Sequence, residues 1–130
     1  MRKLESLRAA IFAALPELKK DPDRIRVWIE RGTATSTQTH SRALTFKFQA
    51  NVLIVEMASD ISVLFLAVFE WARVNQPELM VVGTDGLAFD ADILDSGAAD
   101  ILLQLQLDQA IAAQPTQSGG YAISFPAEPD

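Results

Sequence analysis

The chain has 130 residues, no cysteine, one histidine and a net charge of −6. That length supports one domain with a sizeable core, and the lack of cysteine excludes a disulfide framework and a thiolate metal site while fitting a reducing cytoplasm. A pI near 4.7 argues against specific DNA binding, for which Arg24, Arg26, Trp28 and Arg31 are the only basic and aromatic candidates.

Met1-Arg2-Lys3 looks like the start of a signal peptide, but Glu5 and Arg8 interrupt the apolar region and no small-residue cleavage site follows. The longest apolar run, around Ser62–Phe69, falls short of the roughly 20 residues a membrane span needs. The chain therefore reads as soluble and cytoplasmic. Its charge is uneven: residues 1–60 hold ten basic and seven acidic side chains, residues 61–130 one basic and ten acidic. This is either a solubility device or the mark of a domain with one basic and one acidic face.

In chain order, Leu4, Leu7, Ile11, Ala14, Leu15 and Leu18 fall at helical spacing, and Pro16 divides the helix from a second short turn. Ile25, Val27 and Ile29 alternate with Arg24, Arg26, Trp28 and Glu30 as in a half-buried strand, which Arg31-Gly32 is expected to close. The polar run from Thr33 to Arg42 reads as a loop or the tip of a long hairpin. A second strand follows from Ala43 to Glu56, with Leu44, Phe46, Phe48, Ala50, Val52 and Ile54 on one face. Leu53, Val55 and Met57 make its other face apolar near the end.

Ser59-Asp60 caps an apolar helix from Ile61 to about Gln76, which Pro77 ends. Ile61, Leu64, Phe65, Val68, Trp71 and Ala72 form its main stripe, and Val63, Leu66 and Phe69 widen it beyond one buried face. Two alternating segments, Leu87–Ile93 and Ile101–Leu107, flank Asp95-Ser96-Gly97 as a hairpin. The pattern is an α+β fold, two helices packed on a mostly antiparallel sheet in the order α-β-β-α-β-β. A single domain over residues 1–112 is expected. Residues 113–130 read as a flexible or partner-ordered tail, in which Tyr121, Ile123 and Phe125 could add a strand.

Reaction chemistry finds little support. His40 has no spaced metal-ligating partner, and no strained nucleophile elbow surrounds the loop hydroxyls. Gly83-Thr84-Asp85-Gly86 is a turn signal, not a phosphate cradle. Asp90 and Asp92 share a strand face that could hold a cation, though a solvated outer face is the better reading. No catalytic, metal or cofactor residue is assigned, and no cofactor is expected. A loop-based hydrolase lacks candidates for its pocket.

The segment Trp71-Ala72-Arg73-Val74-Asn75-Gln76-Pro77-Glu78-Leu79-Met80 resembles the W-x-R-x-N-Q-P-[DE]-[IL]-M signature of the tail completion protein R family of contractile-tailed phages in the peduovirus group. Asp21-Pro22-Asp23, Gly32, Ser36-Thr37, Asp60, Phe89, Ala91-Asp92-Ile93 and Asp100-Ile101 match as well, so the likeness covers residues 1–110 and weakens beyond. The resemblance implies a non-enzymatic virion protein that finishes the tail, assembled in the host cytoplasm and resident in the tail or neck. The element order is similar to the tail-terminator fold, which forms six-membered rings. Implied partners are copies of itself, the tail tube or sheath and a head-completion or neck protein, with DNA only passing through the lumen and no membrane. A neck adaptor, or an assembly chaperone absent from the particle, is the alternative. The infectious phage and a headless tail-derived particle are equally compatible.

On this basis the subunit or partner interface is expected to use Thr33, Thr35, Ser36, Thr37, His40 and Arg42 at the hairpin tip. Leu64, Val68 and Trp71 are expected to add apolar area, with the surplus from Val52–Met57. Asp90, Asp92, Asp100 and Asp108 are expected to face the lumen and repel passing DNA.

Overall fold

In a computed structural model of the protein, which describes residues 1–36, 42–81, 83 and 86–126, the local signals of the chain become three helices and five strands. Helix α1 spans Arg2–Ala14 and stops where Pro16 drives Leu15 out of helical geometry, to φ −122° and ψ 82°. A single turn, α2, covers Glu17–Lys20, and a 3-10 turn over Pro22–Arg24 leads into strand β1, Ile25–Ser36. Strand β2 is Arg42–Met57, helix α3 Ile61–Asn75, strand β3 Ala88–Ile93, strand β4 Ala99–Pro115 and strand β5 Tyr121–Ser124. Asp60 caps α3, its carboxylate accepting from Ser62 N at 2.8 Å. That contact holds the Asp60 carboxyl below its ordinary range.

All strand pairs are antiparallel, in the order β1-β2-β4-β3, with β5 added to the far end of β4. Alternation fixes which residues share a face. Phe48, Ala50, Val52 and Ile54 of β2 and Ile101, Leu103, Leu105 and Leu107 of β4 are buried on one face. They meet Leu7, Ile11 and Leu15 at the α1 end and Leu64, Val68 and Trp71 of α3 in one core. Gln49, Leu53, Leu102, Gln104 and Gln106 point to the other face, which no described element covers. Asn51 is buried on that face only because it donates to Glu30 at 2.6 Å and accepts from Gln49 at 3.0 Å.

The first strand is longer than the sequence implies. Arg31-Gly32 does not close it; β1 continues to Ser36 after a register shift between Ile29 and Arg31. Gly32 lies opposite Phe48, and a Cβ there would come within 3.1 Å of Phe48 Cβ and 3.2 Å of the Lys47 carbonyl oxygen. The glycine therefore serves close backbone approach inside a strand rather than a turn. Of the polar run read as a loop or the tip of a long hairpin, residues 33–36 and Arg42 are strand, which β-branched threonines favour. Residues 37–41 of that run lie outside the described residues. At the other end, β4 runs through Pro115, and β5 pairs with its Ala112–Pro115 stretch across a turn in which Thr116 N donates to Gly120 O at 2.8 Å.

The sheet outreaches its helices. At about 3.3 Å per residue the 16-residue β2 is about 50 Å long. Its buried residues begin only at Phe48. The hairpin end of β1 and β2 thus extends past the helix layer, whereas the start of α1 still reaches the β4–β5 end, with the Arg2 guanidinium 5.7 Å from the Phe125 ring centroid. No described helix is long and apolar enough to cross a membrane.

Glu17 ties the short α2 turn to the entrance of α3. Its carboxylate accepts from Ser59 Oγ at 2.7 Å, Ala58 N at 3.1 Å and Ser59 N at 3.2 Å, with Arg24 at 3.5 Å. Partial burial alone would raise its pKa, but these hydrogen bonds and the Arg24 charge together hold it below the ordinary value of 4.5. A depressed folded pKa stabilises above the unfolded value and is lost as the pH falls through 4.5 toward the lower folded value. Glu17→Gln should therefore unfold more readily at neutral pH. Its stability should also fall less steeply than that of the parent between about pH 5 and about pH 3, as measured by urea unfolding across that range.

Candidate assembly surface

The segment Trp71–Met80 is occupied inside the protomer. Trp71 is only 6% exposed, and its indole N–H donates to Ser6 Oγ at 2.9 Å, pinning α3 to α1. Asn75 Nδ2 donates back to Trp71 O at 3.0 Å, closing the helix end before Pro77 opens a 3-10 turn over Pro77–Met80. Leu79 in that turn is buried. Gln76, also buried, carries the most connections. Its Oε1 accepts from Lys3 Nζ at 2.9 Å and from Asp108 N at 3.1 Å, while its Nε2 donates to Glu78 at 2.9 Å.

These contacts answer a backbone problem. β3 pairs with β4 only as far as Gln104, and β5 begins pairing at Ala112, so one edge of β4 lacks a strand between them. An open strand edge must be satisfied or blunted. Gln76 takes the Asp108 N–H, Lys3 Nζ donates to the Asp108 carbonyl, and Gln109 accepts from Lys3 N at 3.0 Å. Lys3 Nζ also stands 3.6 Å from the Asp108 carboxylate. The notch is plugged by side chains.

Three of the residues expected at an interface are core residues instead. Leu64 and Val68 are fully buried and Trp71 nearly so, packed between α1 and the sheet, so none is available to a partner. The Val52–Met57 surplus is likewise internal at Val52, Ile54 and Met57. Apolar side chains that do reach solvent lie elsewhere, among them Val63, Leu66 and Val74 on α3, Ile29 on β1, Phe89 and Ile93 on β3, and Tyr121 and Ile123 on β5. Sequence reasoning saw α3 as apolar on too many sides but took the covered side for the free one. The position of Leu66 opposite the Leu64–Val68–Trp71 stripe, with Val74 on its flank, is the available signal.

The hairpin residues Thr33, Thr35, Ser36 and Arg42 are exposed, and Ser36 Oγ donates to Ala43 O at 2.7 Å, which tightens the tip. Thr37 and His40 lie outside the described residues. The four acidic residues all sit on the bare face but differ in state. Asp100 accepts from Glu56 N at 2.8 Å, anchoring a bulge where Glu56 takes the left-handed φ of 53°. Asp108 stands beside Lys3. Asp90 and Asp92, at the rim of the sheet on β3, have no partner among the described residues. A shallow cleft of about 530 Å³ beside Gln76, lined by Arg31, Lys47, Glu78 and Asp108 among others, mixes charges of both signs. No group of three His, Asp or Glu among the described residues could hold a metal ion.

Fold and surface together define an α+β protein whose buried polar groups are spent on its own edges and turns and whose uncommitted surface is strand. The family described as P2 phage tail completion protein R (GpR) matches residues 1–129. The tail completion protein R of Escherichia phage P2 is 32% identical over 112 residues, covering 84% of this chain and 72% of that one. No solved structure matches the chain. The chain belongs to the P2 phage tail completion protein R family. The family match continues past residue 110, where the likeness in the motifs weakens, through the segment that forms β5.

Two substitutions separate clamp from core. Leu64→Ala should lower the unfolding free energy by about 3 kcal/mol, measured by urea unfolding; a loss below about 1 kcal/mol would contradict its burial. Gln76→Ala leaves the Asp108 N–H without its partner and should cost about 1–3 kcal/mol. It should also speed hydrogen exchange at Asp108 ahead of global unfolding.

Proposed function

We propose that the chain is a structural component of a contractile phage tail that completes the tail by assembling with copies of itself into a closed ring, between the tail tube and the part of the particle that joins the head. Membership of the tail completion family supports the tail role. The observation that carries the assembly reading is the reach of the sheet beyond the helices. Roughly 20 Å of the β1–β2 hairpin, at about 3.3 Å per residue, lies beyond Phe48, where the helix-covered core begins. Within a lone protomer that extension has its ladder hydrogen bonds and the Phe46 contact, but little apolar cover. A neighbour or the tube end would cover it, contributing the area a stable contact requires.

In this role the protein contributes shape and surface and no reaction. Rings close when each copy offers a neighbour two different, complementary patches. The hairpin would reach along the tail axis or across to the next copy, with Thr33, Thr35, Ser36 and Arg42 supplying hydrogen bonds. Residence in the virion follows from this reading and is tested by mass spectrometry of purified tails.

Replacing residues 35–45 by Asn-Gly would leave Ala34 opposite Phe46 across a two-residue turn and keep every core residue. The variant should fold, as judged by circular dichroism and a cooperative melt, yet give tails that fail to join heads in electron micrographs. Normal yields of joined, infectious particles from this variant would sink the role given to the extension.

A further inference from the structure

We propose that the ring junction is the pairing of the outer edge of β1 in one copy with the outer edge of β3 in the next, so that the sheets run on from copy to copy. This rests on the self-assembly proposed above and names its contact. Among the described residues nothing pairs with either edge. Unlike the notch in β4, neither is plugged by buried side chains from another element.

The two edges differ in charge. β1 holds Arg26 and Arg31 against Glu30, whereas β3 holds Asp90 and Asp92 and no base. Pairing β1 with β1, or β3 with β3, sets like net charge against like. Pairing β1 with β3 sets base against acid, and opposite charges across strands stabilise where like charges oppose. Charge thus selects a heterologous contact over a two-fold dimer.

Direction and register agree. Three antiparallel steps separate β1 from β3 in one sheet, so the two run in opposite directions. A rotation about an axis along the strands therefore brings the next β1 antiparallel to β3 and leaves their rows level. Arg26, Leu53, Leu102 and Asp90 form one row across the sheet on its bare face. At the junction Asp90 then meets the next copy's Arg26, which is exposed with its guanidinium 5.7 Å from the Trp28 ring centroid. One step along, on the helix-covered face, Val27, Val52, Leu103 and Phe89 form the adjacent row. There Phe89, 50% exposed although edge-on to Phe65 at 4.8 Å, meets Val27 and the neighbouring Ile29, itself 41% exposed. Both faces of the junction are complementary: acid to base on one, apolar to apolar on the other.

Charge reversal tests this. Assembly of the full chain on purified tail tubes is followed by native mass measurement and sedimentation for the parent, Arg26→Asp, Asp90→Arg, the double variant and an equal mixture of the two single variants. Both positions are exposed, so unchanged melting curves should show that the variants fold. Each single variant should need roughly tenfold more protein to assemble. The double variant should recover. So should the mixture, because alternating copies restore opposite charge at every junction. Parent-like assembly of both single variants, or a double variant no better than the singles, overturns the edge pairing while leaving self-assembly standing. A parent chain that stays single on tubes overturns self-assembly itself, and the junction with it.

Discussion

The fold depends on the ladder between β2 and β4, the two longest strands, which pair from Arg42 opposite Ala113 to Met57 opposite Ala99. A two-stranded ribbon is marginal in water and needs an apolar face under cover. Here the cover is supplied by α1 and α3 over only part of the length, from Phe48 to Met57 on β2 and from Ala99 to Leu107 on β4. Just beyond that, Phe46 and Gln109 still touch the core and α1, and farther out the ribbon continues on backbone hydrogen bonds and strand-favouring residues. One protomer therefore has a conventional core at one end and an uncovered sheet at the other.

Edges are the second consequence of a long ribbon with short flanking strands. β3 and β5 each cover only a few residues of β4. The stretch between them is sealed by Gln76, Lys3 and Gln109. This gives the Trp71–Met80 segment a physical meaning: Trp71 locks the two helices, Pro77 turns the chain, and Gln76 is delivered to the Asp108 backbone. Losing a buried amide that serves a strand edge leaves the half-buried N–H it serves without its partner. The Trp71–Met80 segment is thus a folding device.

Much of the architecture was legible because its signals are local. Asp60 as cap, Pro77 as stop, the long alternation of β2 and the turn at Asp95-Ser96-Gly97 each act within a few residues. What was not legible depends on distant partners. Gly32 reads as punctuation until Phe48 is seen against it across the hairpin. Gln76 looks like an ordinary polar residue until Lys3 and Asp108, 73 and 32 positions away, converge on it. In α3, apolar residues occur on several sides, so periodicity alone does not decide which side the core takes. The core took Leu64, Val68 and Trp71 because α1 packs there, leaving Leu66 and Val74 to solvent.

The uneven charge along the chain finds its explanation in topology. The basic excess of residues 1–60 and the acidic excess of residues 61–130 do not become two faces of the sheet, since Arg26 and Asp90 lie on the same face. Part of that difference falls on the two edges, where β1 carries Arg26 and Arg31 and β3 carries Asp90 and Asp92, because the strand order places β1 and β3 at opposite ends of a sheet whose centre is β2 and β4. A difference between faces would favour stacking one molecule upon another. A difference between edges favours side-by-side association, in which each copy presents its acidic rim to the basic rim of the next. Such a contact leaves one acidic and one basic rim unmet at the ends of any open row, and closure removes both. In the ring proposed above, electrostatics and backbone pairing would together favour closure over a two-fold dimer, while the net charge of −6 per copy would oppose random association.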